Sequence, residues 1–181
     1  MKNRFGLVIA VFAILSLALY GFGCNPFESA QEKAAEKMTE KMLESMAGEG
    51  VDVDLDESGG KVTIKDDEGG GEMTFGEEVE LPSDLPDGVI PYPGAKAKSV
   101  IRNLGGSVGT MVTLTTNDSL KDVAEWYEDE YSGAGWEKTQ TMSINDSEMR
   151  GFEKDAEQVF VTIGKGDGDN ETIISINWSA E

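Results

Sequence analysis

The chain of 181 residues contains no histidine and a single cysteine. It therefore cannot close a disulfide within itself, build a His/Cys zinc site, or assemble a Ser-His or Cys-His catalytic pair. Cations are also scarce. With 15 Lys and Arg against 35 Asp and Glu, the net charge is −20, which opposes nucleic acid because a phosphate backbone is drawn to clustered Lys and Arg. Proline is rare except in one place, since four of the five fall between Pro82 and Pro93. The three tryptophans, Trp126, Trp136 and Trp178, all lie in the C-terminal half.

What is present begins with an export signal. Lys2 and Arg4 form a positive n-region, and Phe5 to Tyr20 is an uncharged, mostly apolar run. It falls slightly short of the roughly 20 residues that a spanning helix needs. The run closes on Gly21-Phe22-Gly23-Cys24, which resembles the lipobox of bacterial lipoproteins, with Gly21 where that motif usually carries Leu. The resemblance implies that residues 1–23 are removed and that Cys24 carries a palmitate-bearing lipid anchor as the mature N-terminus. The expected address is the cell envelope, outside the cytoplasm. A chain this acidic repels anionic headgroups, so the lipid would have to supply the attachment.

Residues 24–50 read as a tether followed by a helix. Ser29 and Glu32 form a capping box, and no Gly or Pro interrupts the chain until Gly48. The helix has about 18 residues and a length of roughly 27 Å. Ala34, Met38, Met42 and Met46 lie at i, i+4 spacing with Ala35 and Leu43 beside them, making one narrow apolar stripe. Two readings fit it: a stalk or a helix lying against its own domain, or a Met-lined surface for self-association or a partner.

Residues 51–75 alternate in hydropathy, with breaks at Ser58-Gly59-Gly60 and Gly69-Gly70-Gly71, and predict a short β meander. The prolines make residues 76–95 an extended strap with Leu81, Leu85, Val89, Ile90 and Tyr92 available to lie on a surface. Residues 96–181 predict an α+β domain of order ββαββββ, an antiparallel sheet with one packed helix. Its helix carries the stripe Leu120, Val123, Ala124, Tyr127 and Tyr131 and stops near Gly133 and Gly135.

The segment Pro91-Tyr92-Pro93-Gly94-Ala95, the Thr-rich strand around Thr113 to Thr116, and Val123-Ala124-Glu125-Trp126-Tyr127 followed by Gly135-Trp136 resemble a pattern in small exported bacterial lipoproteins of unknown function. That resemblance covers about half of the chain. It implies a Tyr-Pro-Gly-Ala segment leading into a Gly-Trp-containing α+β domain, and it carries no activity or functional residue.

Chemical motifs are weak. Asp52-x-Asp54-x-Asp56 opens like a calcium loop, but Glu57 and Thr63 stand where an EF-hand needs Gly and a bidentate Glu. Three alternate carboxylates are equally the solvent face of a strand. No spacing singles out a carboxylate pair for glycosidase-like chemistry, and neither a catalytic residue, a metal ligand nor a cofactor is expected. The expectation is a non-enzymatic, membrane-anchored lipoprotein that presents a small domain for an envelope protein partner or for structural support. The alternative is an extracytoplasmic module that binds a small molecule or Ca²⁺.

Overall fold

The computed structural model describes residues 51–55, 60–66, 70–103, 108–166 and 170–180. The lipidation candidate Cys24 and the stripe Met38, Met42 and Met46 lie outside the described residues. Among those described are nine strands: β1 Val51–Leu55, β2 Lys61–Asp66, β3 Gly71–Gly76, β4 Lys96–Arg102, β5 Gly109–Thr116, β6 Glu137–Ile144, β7 Ser147–Lys154, β8 Glu157–Lys165 and β9 Thr172–Ala180. One helix, α1 Leu120–Gly133, connects β5 to β6. All nine strands belong to one sheet of order β1-β2-β3-β4-β5-β9-β8-β7-β6, and every neighbouring pair is antiparallel.

This corrects the expected fold class. The alternating segments of residues 51–75 do not make a short meander beside a ββαββββ domain. Instead β3 pairs with β4, Met73 opposite Ile101 and Thr74 opposite Val100, so that one large antiparallel sheet runs through both regions with a single helix against it. A two- or three-stranded ribbon is marginal alone and leaves a row of unpaired backbone groups at its edge. Pairing that edge with β4 satisfies both demands, and residues 77–95 become the β3–β4 connection.

The helix forms where its sequence directs. Ser119 caps the N-terminus, its hydroxyl oxygen accepting from the Asp122 amide at 3.2 Å. At the other end Gly135 adopts a left-handed backbone with φ 82°, and the Trp136 amide turns back to the Tyr131 carbonyl at 2.9 Å. Val123, Ala124, Tyr127 and Tyr131 are buried, facing Val112 and Leu114 of β5, Phe152 of β7, Val159, Val161 and Ile163 of β8, and Ile174 and Ile176 of β9 within one core cluster. These strand residues occupy alternate positions, as one buried sheet face requires.

The connection of residues 77–95 lies over the same core. Val79 and Val89 are buried, and Leu81, Leu85, Ile90 and Tyr92 pack against the cluster. The Val79 amide donates to the Ala97 carbonyl at 2.8 Å, holding the start of the connection against β4. Arg102 clamps its middle, with its guanidinium donating to both carboxylate oxygens of Asp84 at 3.1 and 2.9 Å. That hydrogen bond holds the Asp84 carboxyl below the usual carboxylate range.

Gly88 is where the connection comes closest to the core. A Cβ there would sit 2.5 Å from Trp178 Cδ1 and 2.8 Å from Trp136 Cη2, so only hydrogen fits between the backbone and the two indoles. Overpacking of this kind costs about 1–3 kcal/mol. Gly88→Ala is expected to lower the melting temperature by several degrees, read by circular dichroism, whereas Gly133→Ala, whose Cβ would meet nothing within 4 Å, is expected to melt like the parent. Val123→Asp, which buries an unpaired carboxylate under the helix, is expected to unfold the chain, and Glu125→Ala on the exposed side to change nothing measurable.

Candidate functional site

Three regions have enough chemistry or shape to be weighed as sites. The first is the aromatic row between helix and sheet. Tyr92, Trp126, Tyr127, Tyr131, Trp136 and Phe152 make successive ring contacts with centroids 4.5 to 6.1 Å apart, several of them edge-on. At one end the Tyr92 hydroxyl donates to Asp118 Oδ2 at 2.9 Å. At the centre Tyr131 donates to the Gly88 carbonyl at 2.8 Å, tying the helix to the β3–β4 connection. Tyr127 is different, because its hydroxyl is buried with no hydrogen-bond partner. Burial pushes both the Tyr127 and the Tyr131 phenol up from their ordinary range, so neither ionises at physiological pH.

The second region comprises two shallow depressions, one at each end of the helix layer. One, of about 430 Å³, is lined by Gly135, Glu137, Glu153, Lys154 and Asp155. The other, of about 540 Å³, lies where the start of α1 meets the β6–β7 turn and the β8–β9 connection. Its polar groups engage one another: Thr172 donates to the Asp118 carbonyl at 2.7 Å, and Ser119 donates to Asp122 Oδ2 at 2.7 Å. Neither is lined by residues of the aromatic row. Among the described residues no three His, Cys, Asp or Glu side chains stand close enough to hold a metal ion.

Asp52 and Asp54, two of the three carboxylates in the calcium-loop spelling, alternate along β1 opposite Lys65 and Thr63 of β2, and both are exposed; Asp56 lies outside the described residues. Asp52, Lys65, Glu72 and Arg102 are successive register partners across β1 to β4 and form a ladder of alternating charge. Such a ladder suits a solvated strand face, where opposite charges across strands contribute up to about 1 kcal/mol each.

A clamp missed by sequence reasoning joins the helix to the β6–β7 hairpin. Arg150 donates to the Ala124 carbonyl, to Glu128 Oε2 at 2.8 Å and to Glu148 Oε1 at 2.6 Å, and Lys138 reaches Glu128 Oε1 at 2.6 Å. Every charge in it is paired within the fold, so its role is to orient the helix. No periodicity flags it, because the β7 positions on that face are Glu148, Arg150, Phe152 and Lys154, with a single apolar residue among them. On the same face of the sheet, Trp178 donates its indole N–H to Glu157 Oε2 at 2.9 Å and so keeps a polar partner at the rim of the core.

The third region is the face of the sheet turned away from α1. Register partners share a face, so following them from strand to strand gives its composition. At the β1–β4 end it carries Val53, Leu55, Val62, Ile64, Met73, Phe75 and Ile101. In the middle come Thr113, Ser175 and Thr162 in one row and Met111, Asn177 and Phe160 in the next, and at the far end Met149, Met142 and Ile144. Met142 and Ile144 are among the large apolar side chains most exposed to solvent, at 48% and 59%. The face is therefore apolar at both ends and mixed between them, and it has the chemistry of a contact surface.

A family model described as START domain-like matches residues 98–172, from within β4 to the first residue of β9. No curated protein matches the chain. The similarity spans α1 and the strands that enclose the helix-side core, and so it bears on that layer and not on β1 to β3. No helix among the described residues is long and apolar enough to cross a membrane.

The two buried phenols separate a filled core from a polar site. Tyr127→Phe removes a hydroxyl that gains nothing in the fold and is expected to be neutral or to stabilise by up to about 1 kcal/mol. Tyr131→Phe leaves the Gly88 carbonyl unpaired and is expected to cost about 1 kcal/mol, or a few degrees in melting temperature. Chemical denaturation of both variants measures the difference.

Proposed function

We infer that the chain is an extracytoplasmic lipoprotein, held at the membrane by a lipid on Cys24, which acts without catalysis by presenting its sheet-and-helix unit to an envelope protein or as structural support at the bacterial cell envelope. The observation that carries this reading is the position of the only thiol. It directly follows an export signal with small residues at Gly21 and Gly23. The helix-side layer adds support of a different kind, because its interior is filled by apolar and aromatic side chains and the charges of Arg150, Glu128 and Glu148 are spent on one another. A surface of that type suits recognition better than turnover.

A second reading is favoured by the START domain-like similarity, which points to a ligand-binding fold. Because the space beneath α1 is occupied by the aromatic row, the ligand in this reading would lie on the face away from the helix. An apolar small molecule fits Met142, Met149 and Ile144 there better than a cation does.

Expression with labelled palmitate in a bacterial host tests the principal reading. Label is expected in the parent and lost in Cys24→Ser, with the parent in the membrane fraction and an intact mass matching cleavage before Cys24. An unmodified thiol on an uncleaved chain would contradict it.

A further inference from the structure

The apolar residues of the sheet change sides between β3 and β4. From β4 to β9 the buried apolar positions face α1, through Ala97, Val100, Val112, Leu114, Val161 and Ile176. In β1 to β3 the positions on that same side are Asp52, Asp54, Lys65, Thr63, Glu72 and Thr74, charged or hydroxylic throughout, while Val53, Leu55, Val62, Ile64, Met73 and Phe75 point the other way. Strands whose apolar side faced water would gain nothing from folding. Val53 is only 4% exposed, although it belongs to the edge strand and stands outside the helix-side core.

We propose that residues 29–47 of this same chain form a second covering layer, laying the stripe Ala34, Met38, Met42 and Met46 on the apolar face of β1 to β4. Three arguments select this occupant over a second copy or a foreign partner. Only Gly48, Glu49 and Gly50 separate Ala47 from the first residue of β1. Two glycines in three residues give a linker the backbone freedom to reverse direction at little steric cost, and a contact so tethered is intramolecular, with an effective concentration far above that of any free partner.

The dimensions also agree. The stripe from Ala34 to Met46 spans about 18 Å at 1.5 Å per residue. Four strands present about 14 Å across at 4.8 Å spacing, and a strand of five or six residues runs about 17–20 Å along its length. Finally, the chemistry matches on both sides. Met and Ala on the stripe adapt to an uneven surface of Val, Ile, Met and Phe, and Lys33, Lys37 and Lys41 with Glu36, Glu40 and Glu44 leave the outer side of the helix charged.

Disulfide mapping in the full chain, purified in detergent with Cys24→Ser so that no other thiol competes, tests the contact. Met38, Met42 and Met46 are changed to Cys one at a time and combined with Ile64→Cys or Phe75→Cys. Stripe positions are expected to close intramolecular bridges, while Glu40→Cys with the same partners gives none, since bridging needs Cα atoms within about 7 Å. Bridges only between copies, equal bridging from Glu40→Cys, or no bridging from any stripe position would overturn the proposal.

Hydrogen exchange gives a second reading free of engineered thiols. Met38→Glu/Met42→Glu is expected to speed amide exchange in β1 to β3 about tenfold while β5, β8 and β9 keep their protection. Unchanged exchange in β1 to β3, or loss of protection in all strands together, would also overturn it.

Discussion

The constraint on which this structure depends is the two-residue period of a β-strand. Side chains alternate between faces, so the strand register decides which face each apolar residue meets, and a shift of one residue would turn every one of them over. Between Thr74 and Val100 the sheet places a hydroxyl beside a buried aliphatic side chain on the helix side, while Met73 and Ile101 lie together behind it. This is where one buried face gives way to the other. The strands on either side of that line share hydrogen bonds but not a core, which explains how a sheet of nine strands needs only one described helix to cover it.

The helix-side layer is completed by a loop as much as by the helix. Residues 77–95 bring Val79, Val89 and Tyr92 onto the core, and their close approach depends on Gly88 lying flat against Trp136 and Trp178. Tyr131 then fastens the loop to the helix through one hydrogen bond, and Arg102 fastens it to β4. The aromatic row that results occupies the interior. Chemistry capable of recognition is pushed outward, to the ends of the helix layer and to the opposite face.

Local features of this fold were legible in the residues. The stripe from Leu120 to Tyr131 marks the helix and its buried side, the alternation from Val51 to Phe75 marks strands, and the prolines with their flanking apolar residues mark a segment that lies on a surface. Pairing between distant segments was not legible. Nothing in the periodicity of Met73 or Ile101 states that β3 joins β4 across the 19 residues of the connection, and without that pairing the meander reads as a separate unit. The Arg150 clamp escaped for the same reason, because its partners Ala124 and Glu128 lie more than 20 residues away in sequence and leave no trace in local spacing. Cys24 stands apart, since its chemistry is carried by a signal that precedes the fold and owes nothing to the sheet.

The reversal of the apolar face is tested most directly by the reactivity of single cysteines placed along the outer strands, in the full chain with Cys24→Ser. Val53→Cys and Ile64→Cys should react slowly with a water-borne thiol reagent, and Asp54→Cys and Lys65→Cys rapidly. Equal rates at the four positions, or faster reaction at Val53 and Ile64, would show that β1 and β2 do not bury the side assigned to them and would contradict the account.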